Sequence, residues 1–140
     1  MKILLAVDGS SFTKRMLGYV AANQDLFTDS TDFTIFTVVP EIPAHPRSFL
    51  PRPTVDDYYL SEAAKVLDPV KRFAQQNGWK FEARHAVGHP GDLVAELATN
   101  GAFDMVIMGT HGHSALVNVV LGSVAMRVLA QCKVPLLLVR

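Results

Sequence analysis

The chain has 140 residues, 49% of them hydrophobic and 19% charged, which is one domain's length with enough apolar side chains for a buried core. Thirteen basic residues balance thirteen acidic ones, so no net field draws the chain to nucleic acid or an anionic membrane, and neither is expected as a partner. The same values exclude whole-chain disorder, and a single cysteine, Cys132, excludes an intrachain disulfide and fits a reducing compartment.

In chain order, the first element is the apolar run Ile3 to Val7, read as a strand. It stops at Asp8, too short for a secretory or membrane segment, so a cytoplasmic location is expected. Ser10 or Ser11 is placed to cap a helix over Thr13 to Asn23. Phe33 to Val39 reads as the second strand. Pro40 to Pro53 then holds five of the eight prolines and is expected to be an irregular surface loop, placed after a strand end as a lid would be. Val55 to Asn77 has helical spacing, with a kink or break expected at Pro69. Lys80 to Val87 alternates as a strand, and Gly91-Asp92 opens a helix running to Asn100. Gly78 and Gly101 fall where helices should stop in left-handed backbone. Met105 to Met108, Ser123 to Cys132 and Leu136 to Val139 complete the pattern as strand, helix and strand.

Apolar runs without polar alternation mark strands covered on both faces, and their alternation with helices marks an α/β domain. Right-handed crossovers then give a doubly wound, Rossmann-like parallel sheet of five strands with helices on both faces; the order expected, 3-2-1-4-5, is taken from the fold class. In such a sheet a crevice opens beyond the carboxyl ends of strands 1 and 4. Asp8-Gly9-Ser10-Ser11 and Gly109-Thr110-His111-Gly112 fall at those ends.

The second stretch continues through nine residues to Gly122-Ser123. Glycines let backbone N–H groups approach phosphate oxygens, and a helix start supplies free N–H groups and a positive dipole end. Turn chemistry alone would also place glycine after a strand, so the spacing carries more weight than either glycine pair.

The spacing G-x2-G-x9-G-[ST], met by Gly109, Gly112, Gly122 and Ser123, resembles the C-terminal signature of the ATP-binding branch of the universal stress proteins. Ile3 to Ser10, Thr37-Val38-Val39-Pro40, Val87-Gly88-His89-Pro90 and Asp104 to Gly109 are similar to that family too, so the resemblance covers residues 1–140 as one domain. It implies an ATP site, with ADP or AMP as alternatives and Mg2+ bound through the phosphates. By the resemblance, Asp8 lies beside the adenosine, and Val38 offers backbone contacts to the adenine. Val87, Gly88 and Met108 line the adenine side. Gly109, Gly112, Gly122 and Ser123 hold ribose and phosphates, with Val124 at the helix start. Ala6, Val39, Thr110 and His113 complete the expected nucleotide-binding set. His113 stands where the family often has arginine, and Ala115 where it often has glycine, which bears on phosphate charge balance and loop shape.

No residue is assigned to catalysis or to a protein-bound metal. His111 and His113 lack a cysteine or carboxylate at ligand spacing, and phosphate contact or solvation suits them better. His45, Arg47 and Arg52 in the proline-rich loop are within conceivable reach of phosphates, with solvation as the default. The lysine-bearing G-x4-G-K-[ST] loop is missing, so at most weak ATP hydrolysis or autophosphorylation, for example at Ser114 or Ser123, is expected. The last strand, Leu136-Leu137-Leu138-Val139, is an uncharged apolar edge, and with the resemblance it points to a homodimer. The leading expectation is an ATP-binding stress-response regulator. The rivals are a nucleotide-free homodimeric interaction module of the same fold and a slow ATPase or autokinase.

Overall fold

Three residues in the first strand, Ile3, Leu4 and Leu5, are each fully buried, as the unbroken apolar run requires. The computed structural model describes residues 1–27, 29–114 and 118–140; Ala115 lies outside the described residues. Strands β1 (Lys2–Ala6), β2 (Asp32–Val39), β3 (Lys80–Val87), β4 (Met105–Gly109) and β5 (Leu136–Val139) form one sheet. Its order is β3-β2-β1-β4-β5, and every pairing is parallel. The expected 3-2-1-4-5 winding is therefore what the chain adopts, with the reversal between β1 and β4.

Alternation along the central strands divides the interior into two cores. Leu5, Ile35 and Ile107 pack under helices α1 (Ser11–Ala22) and α3 (Arg52–Gln76), against Met16, Val20, Leu67 and Val70. Leu4, Phe36, Val106 and Met108 face the other side. There they meet Val94 and Ala98 of α4 (Pro90–Asn100) and Ala125 and Val128 of α5 (Ser123–Gln131).

Several local expectations change. The proline-rich segment is not wholly irregular: it contains a short helix, α2 (Ala44–Arg47), and α3 already begins at Arg52. Proline suits first-turn positions, where its missing N–H has no partner to lose. Helix α3 also runs through Pro69 without a break. Pro69 and Lys65, whose carbonyl loses its i+4 donor, both lie on the exposed side of the helix. Gly78 has the expected positive φ of 68°, but the turn after α4 puts it on Ala102, at 51°. Gly101 N–H still donates to Leu97 at 2.8 Å, which carries the helical bonding one residue further. Glycine is needed there for space, since a Cβ would lie 2.7 Å from the Leu97 carbonyl oxygen.

Helices α4 and α5 are tied at the surface as well as in the core. Arg127 donates from Nε to Asp92 Oδ1 at 2.7 Å, and Gln131 donates to the same oxygen at 2.9 Å. Hydrogen bonds from Arg127 and Gln131 hold the Asp92 carboxyl below its ordinary pKa. A depressed carboxyl adds stability above its unfolded pKa and loses it as pH falls through the folded value. Arg127→Ala should therefore move the Asp92 titration, followed by NMR, up toward the ordinary aspartate range. It should also shrink the acid-side loss of stability that Asp92 contributes. An unmoved Asp92 titration would show that the guanidinium is not its cause.

Candidate functional site

The β1–α1 turn is built around Asp8. Gly9 takes a φ of 77°, which turns the chain sharply out of the sheet and into α1. Asp8 Oδ1 accepts from Ser10 N at 2.9 Å and from Thr13 Oγ1 at 2.8 Å, and Asp8 N donates to Thr13 Oγ1 at 3.0 Å. Ser10, rather than Ser11, caps α1 by accepting from Thr13 N. One carboxylate oxygen is thus committed to the turn. The other, Oδ2, accepts from none of the described residues and lies where a Cβ on Gly112 would come within 2.5 Å of it.

Across the crevice, the chain leaving β4 folds back on itself. Gly122 N–H donates to Thr110 O at 2.8 Å, joining the strand exit to the start of α5. His111 braces the same fold: Nε2–H donates to Val119 O at 2.6 Å, and Nδ1 lies in hydrogen-bond contact with Thr110 Oγ1 at 3.0 Å. His113 spans the crevice, with Nε2–H donating to the Asp8 carbonyl at 2.7 Å. Gly122 caps α5 without a side-chain hydrogen bond, so the first-turn N–H groups face outward with the positive end of the helix dipole.

These parts enclose a cavity of about 660 Å³, within the range of small-molecule sites. Of the expected residues, Ala6, Asp8, Val38, Val39, Met108, Gly109, Gly112, His113, Gly122, Ser123 and Val124 line it. Val87, Gly88 and Thr110 do not. Val87 faces solvent on the edge strand, Gly88 turns the chain toward α4 at a φ of 148°, and the Thr110 side chain is buried against His111. Nor do His45, Arg47 or Arg52 reach it; Arg47 is paired with Glu41 instead.

Sequence reasoning missed the wall contributed from a distance. Glu62 and Val66 come from α3, Phe36 and Thr37 from β2, and Pro90 and Val94 from α4. The ionisable lining residues are Asp8, Glu62, His111 and His113. Among the described residues, no group of three or more His, Cys, Asp or Glu is placed to hold a metal ion. No helix among them is long and apolar enough to cross a membrane.

The sequence model of the universal stress protein family matches residues 1–140. Universal stress protein Slr1230 of Synechocystis is 26% identical over 139 residues, 99% of this chain and 42% of its own length. MJ0531 of Methanocaldococcus jannaschii is 31% identical over 86 residues, 61% of this chain and 51% of its own length. The chain thus spans about half the length of these curated relatives. Among solved structures, UspA from Lactobacillus plantarum superimposes with a TM-score of 0.83 at 18% identity, covering 100% of this chain and 97% of that one. Three others of this fold were solved with adenine nucleotides. An Arabidopsis thaliana family member with AMP has a TM-score of 0.72 at 16% identity, covering 99% and 90% of the two chains. A universal stress protein in complex with cAMP scores 0.66 at 23%, covering 100% and 96%. The Archaeoglobus fulgidus protein with dAMP scores 0.71 at 20%, covering 100% and 98%.

Proposed function

The chain belongs to the universal stress protein family, and from that premise we propose that it is a regulatory protein that binds an adenine nucleotide in the crevice beyond β1 and β4. The observation that carries this reading is the paired approach of Gly112 and Gly122. Two stretches of backbone without side chains meet there, beside the uncapped start of α5 and the free oxygen of Asp8. The neighbours solved with AMP, cAMP and dAMP lend it support.

In this reading the apolar wall of Ala6, Val38 and Met108 takes the base, and Asp8 Oδ2 accepts from a ribose hydroxyl. Backbone N–H groups of the glycine loop, with the Ser123 hydroxyl, take the phosphates. ATP, ADP and AMP all fit these roles, and Mg2+ would arrive on the phosphates of the larger two. Cavity side chains offer no lysine to clamp a transferring phosphoryl group, which favours binding over turnover. Equilibrium titration of refolded, nucleotide-free protein with ATP and magnesium tests the reading. Saturable binding supports it; no binding of any adenine nucleotide would leave the loop a connector in an interaction module.

The same reading places the protein in the cytoplasm as a homodimer formed through β5. Its outer edge is the end of the sheet, and Leu129 and Met126 on the neighbouring α5 are 55% and 57% exposed. Such an apolar edge invites pairing with a second copy. Leu129→Glu should therefore shift the mass measured by light scattering from dimer to monomer at micromolar concentration. A monomeric parent protein, or a variant that stays dimeric, would remove α5 from the interface.

A further inference from the structure

The proposed nucleotide site carries an unusual charge balance for a phosphate-binding cavity. From Met105 to Met126 the chain contains no lysine, arginine, aspartate or glutamate. Among the described residues, the ionisable groups on the cavity wall are two carboxylates and two imidazoles, with no permanent cation. Arg127 is engaged on Asp92, Arg47 on Glu41, and Arg15 over the Phe12 ring. Glu62 has Lys65 beside it at 2.6 Å, whereas Asp8 is paired with no cation among the described residues. Its unengaged Oδ2 points at Gly112, in the glycine loop itself. Both histidines spend Nε2–H on backbone carbonyls of the protein.

We infer that this cavity selects its nucleotide by charge. A nucleoside monophosphate or cyclic monophosphate enters without metal, whereas a triphosphate is admitted only when a divalent cation accompanies it. The reasoning rests on the nucleotide reading above and on Coulomb's law within a largely apolar wall. A monophosphate brings one or two negative charges, which backbone N–H groups and the α5 dipole can hold. A metal-free triphosphate brings about four, with the Asp8 carboxylate next to the loop and no side-chain cation to offset it.

The test is a set of calorimetric titrations at pH 8 with AMP, cyclic AMP and ATP, each in EDTA and in magnesium. Metal-free ATP is expected to bind at least about tenfold more weakly than AMP, and magnesium to restore most of the difference. Asp8→Asn keeps the size of the side chain and removes its charge; the ribose contact it alters is common to both nucleotides, so the readout is the ratio of metal-free ATP to AMP affinity, which should shift toward ATP. His113→Arg adds a cation at an exposed position and should do the same, which keeps the test open if the Asp8 variant folds poorly. Metal-free ATP binding as tightly as AMP would overturn the charge selection and leave the nucleotide reading standing. Failure of every nucleotide in both buffers would overturn the nucleotide reading, and the inference with it.

Discussion

Gly122→Val is expected to weaken adenine-nucleotide binding by about a hundredfold or more, with the far-ultraviolet circular dichroism spectrum unchanged. The expectation comes from what surrounds the missing side chain. A Cβ on Gly122 would stand 3.1 Å from His111 Cα, 3.2 Å from Thr110 O and 3.8 Å from Gly112 N. Every one of these atoms is backbone, so no flexible side chain can swing aside. Valine adds two γ-carbons to that crowding and must push the limbs of the loop apart, at the expense of the 2.8 Å bond from Gly122 N to Thr110 O. Backbone donors aimed at a phosphate are each worth roughly 1.5–3 kcal/mol, so losing one or two accounts for the loss of affinity.

The sheet should survive the same change. Gly122 has a φ of −68°, which any residue adopts, so valine meets no backbone strain there. The stability cost should stay near 1 kcal/mol, in the range of a poor N-cap. Gly122→Ala adds the Cβ alone and should fall between parent and valine. Calorimetry on the three proteins separates the possibilities: equal affinities would mean that the loop only connects β4 to α5.

Which features could be read from the sequence depends on how local their causes are. β1 and β4 were legible because burial on both faces leaves an unbroken apolar run, as in Ile3-Leu4-Leu5 and Val106-Ile107-Met108. The strand order was not legible in the residues: it is taken from the fold class, and the structure shows it. Turn chemistry was less reliable where packing intervened: Gly101 is held in helical bonding by Leu97, and the left-handed turn falls on Ala102. Pro69 looked like a break because local propensity disfavours it inside a helix, whereas the packing of Leu67, Val70 and Ala74 on the sheet holds the helix continuous. At the site, Gly109, Gly112, Gly122 and Ser123 were visible because one loop supplies them. Glu62 and Val66 were not, since α3 brings them over the end of β2 from a distant part of the chain. Val87 and Gly88 show the converse. The resemblance put them in the site, yet they end the edge strand β3, with β2 between them and the β1–β4 crevice, and they are not part of the cavity wall.

Gly109→Ala is expected to destabilise the folded protein by about 2–3 kcal/mol, the upper part of the range for overpacking. Gly109 ends β4 where α1 crosses it, and a Cβ there would sit 2.6 Å from Phe12 Cβ and 3.3 Å from the Phe12 backbone carbonyl carbon. The obstacle is the stem of Phe12 rather than its ring. Truncating Phe12 to alanine keeps that stem, so Phe12→Ala should not rescue Gly109→Ala in a double-mutant cycle. The third neighbour is the His111 carbonyl, at 3.3 Å, so displacement at Gly109 would also reach the loop that His111 ties to Val119 at 2.6 Å. Stability and binding should therefore fall together in this variant, whereas Gly122→Val separates them. Denaturant unfolding gives the first quantity and titration the second. A Gly109→Ala protein as stable as its parent would mean that α1 can slide along β4, and the close contact that shapes the floor of the crevice would then be adjustable.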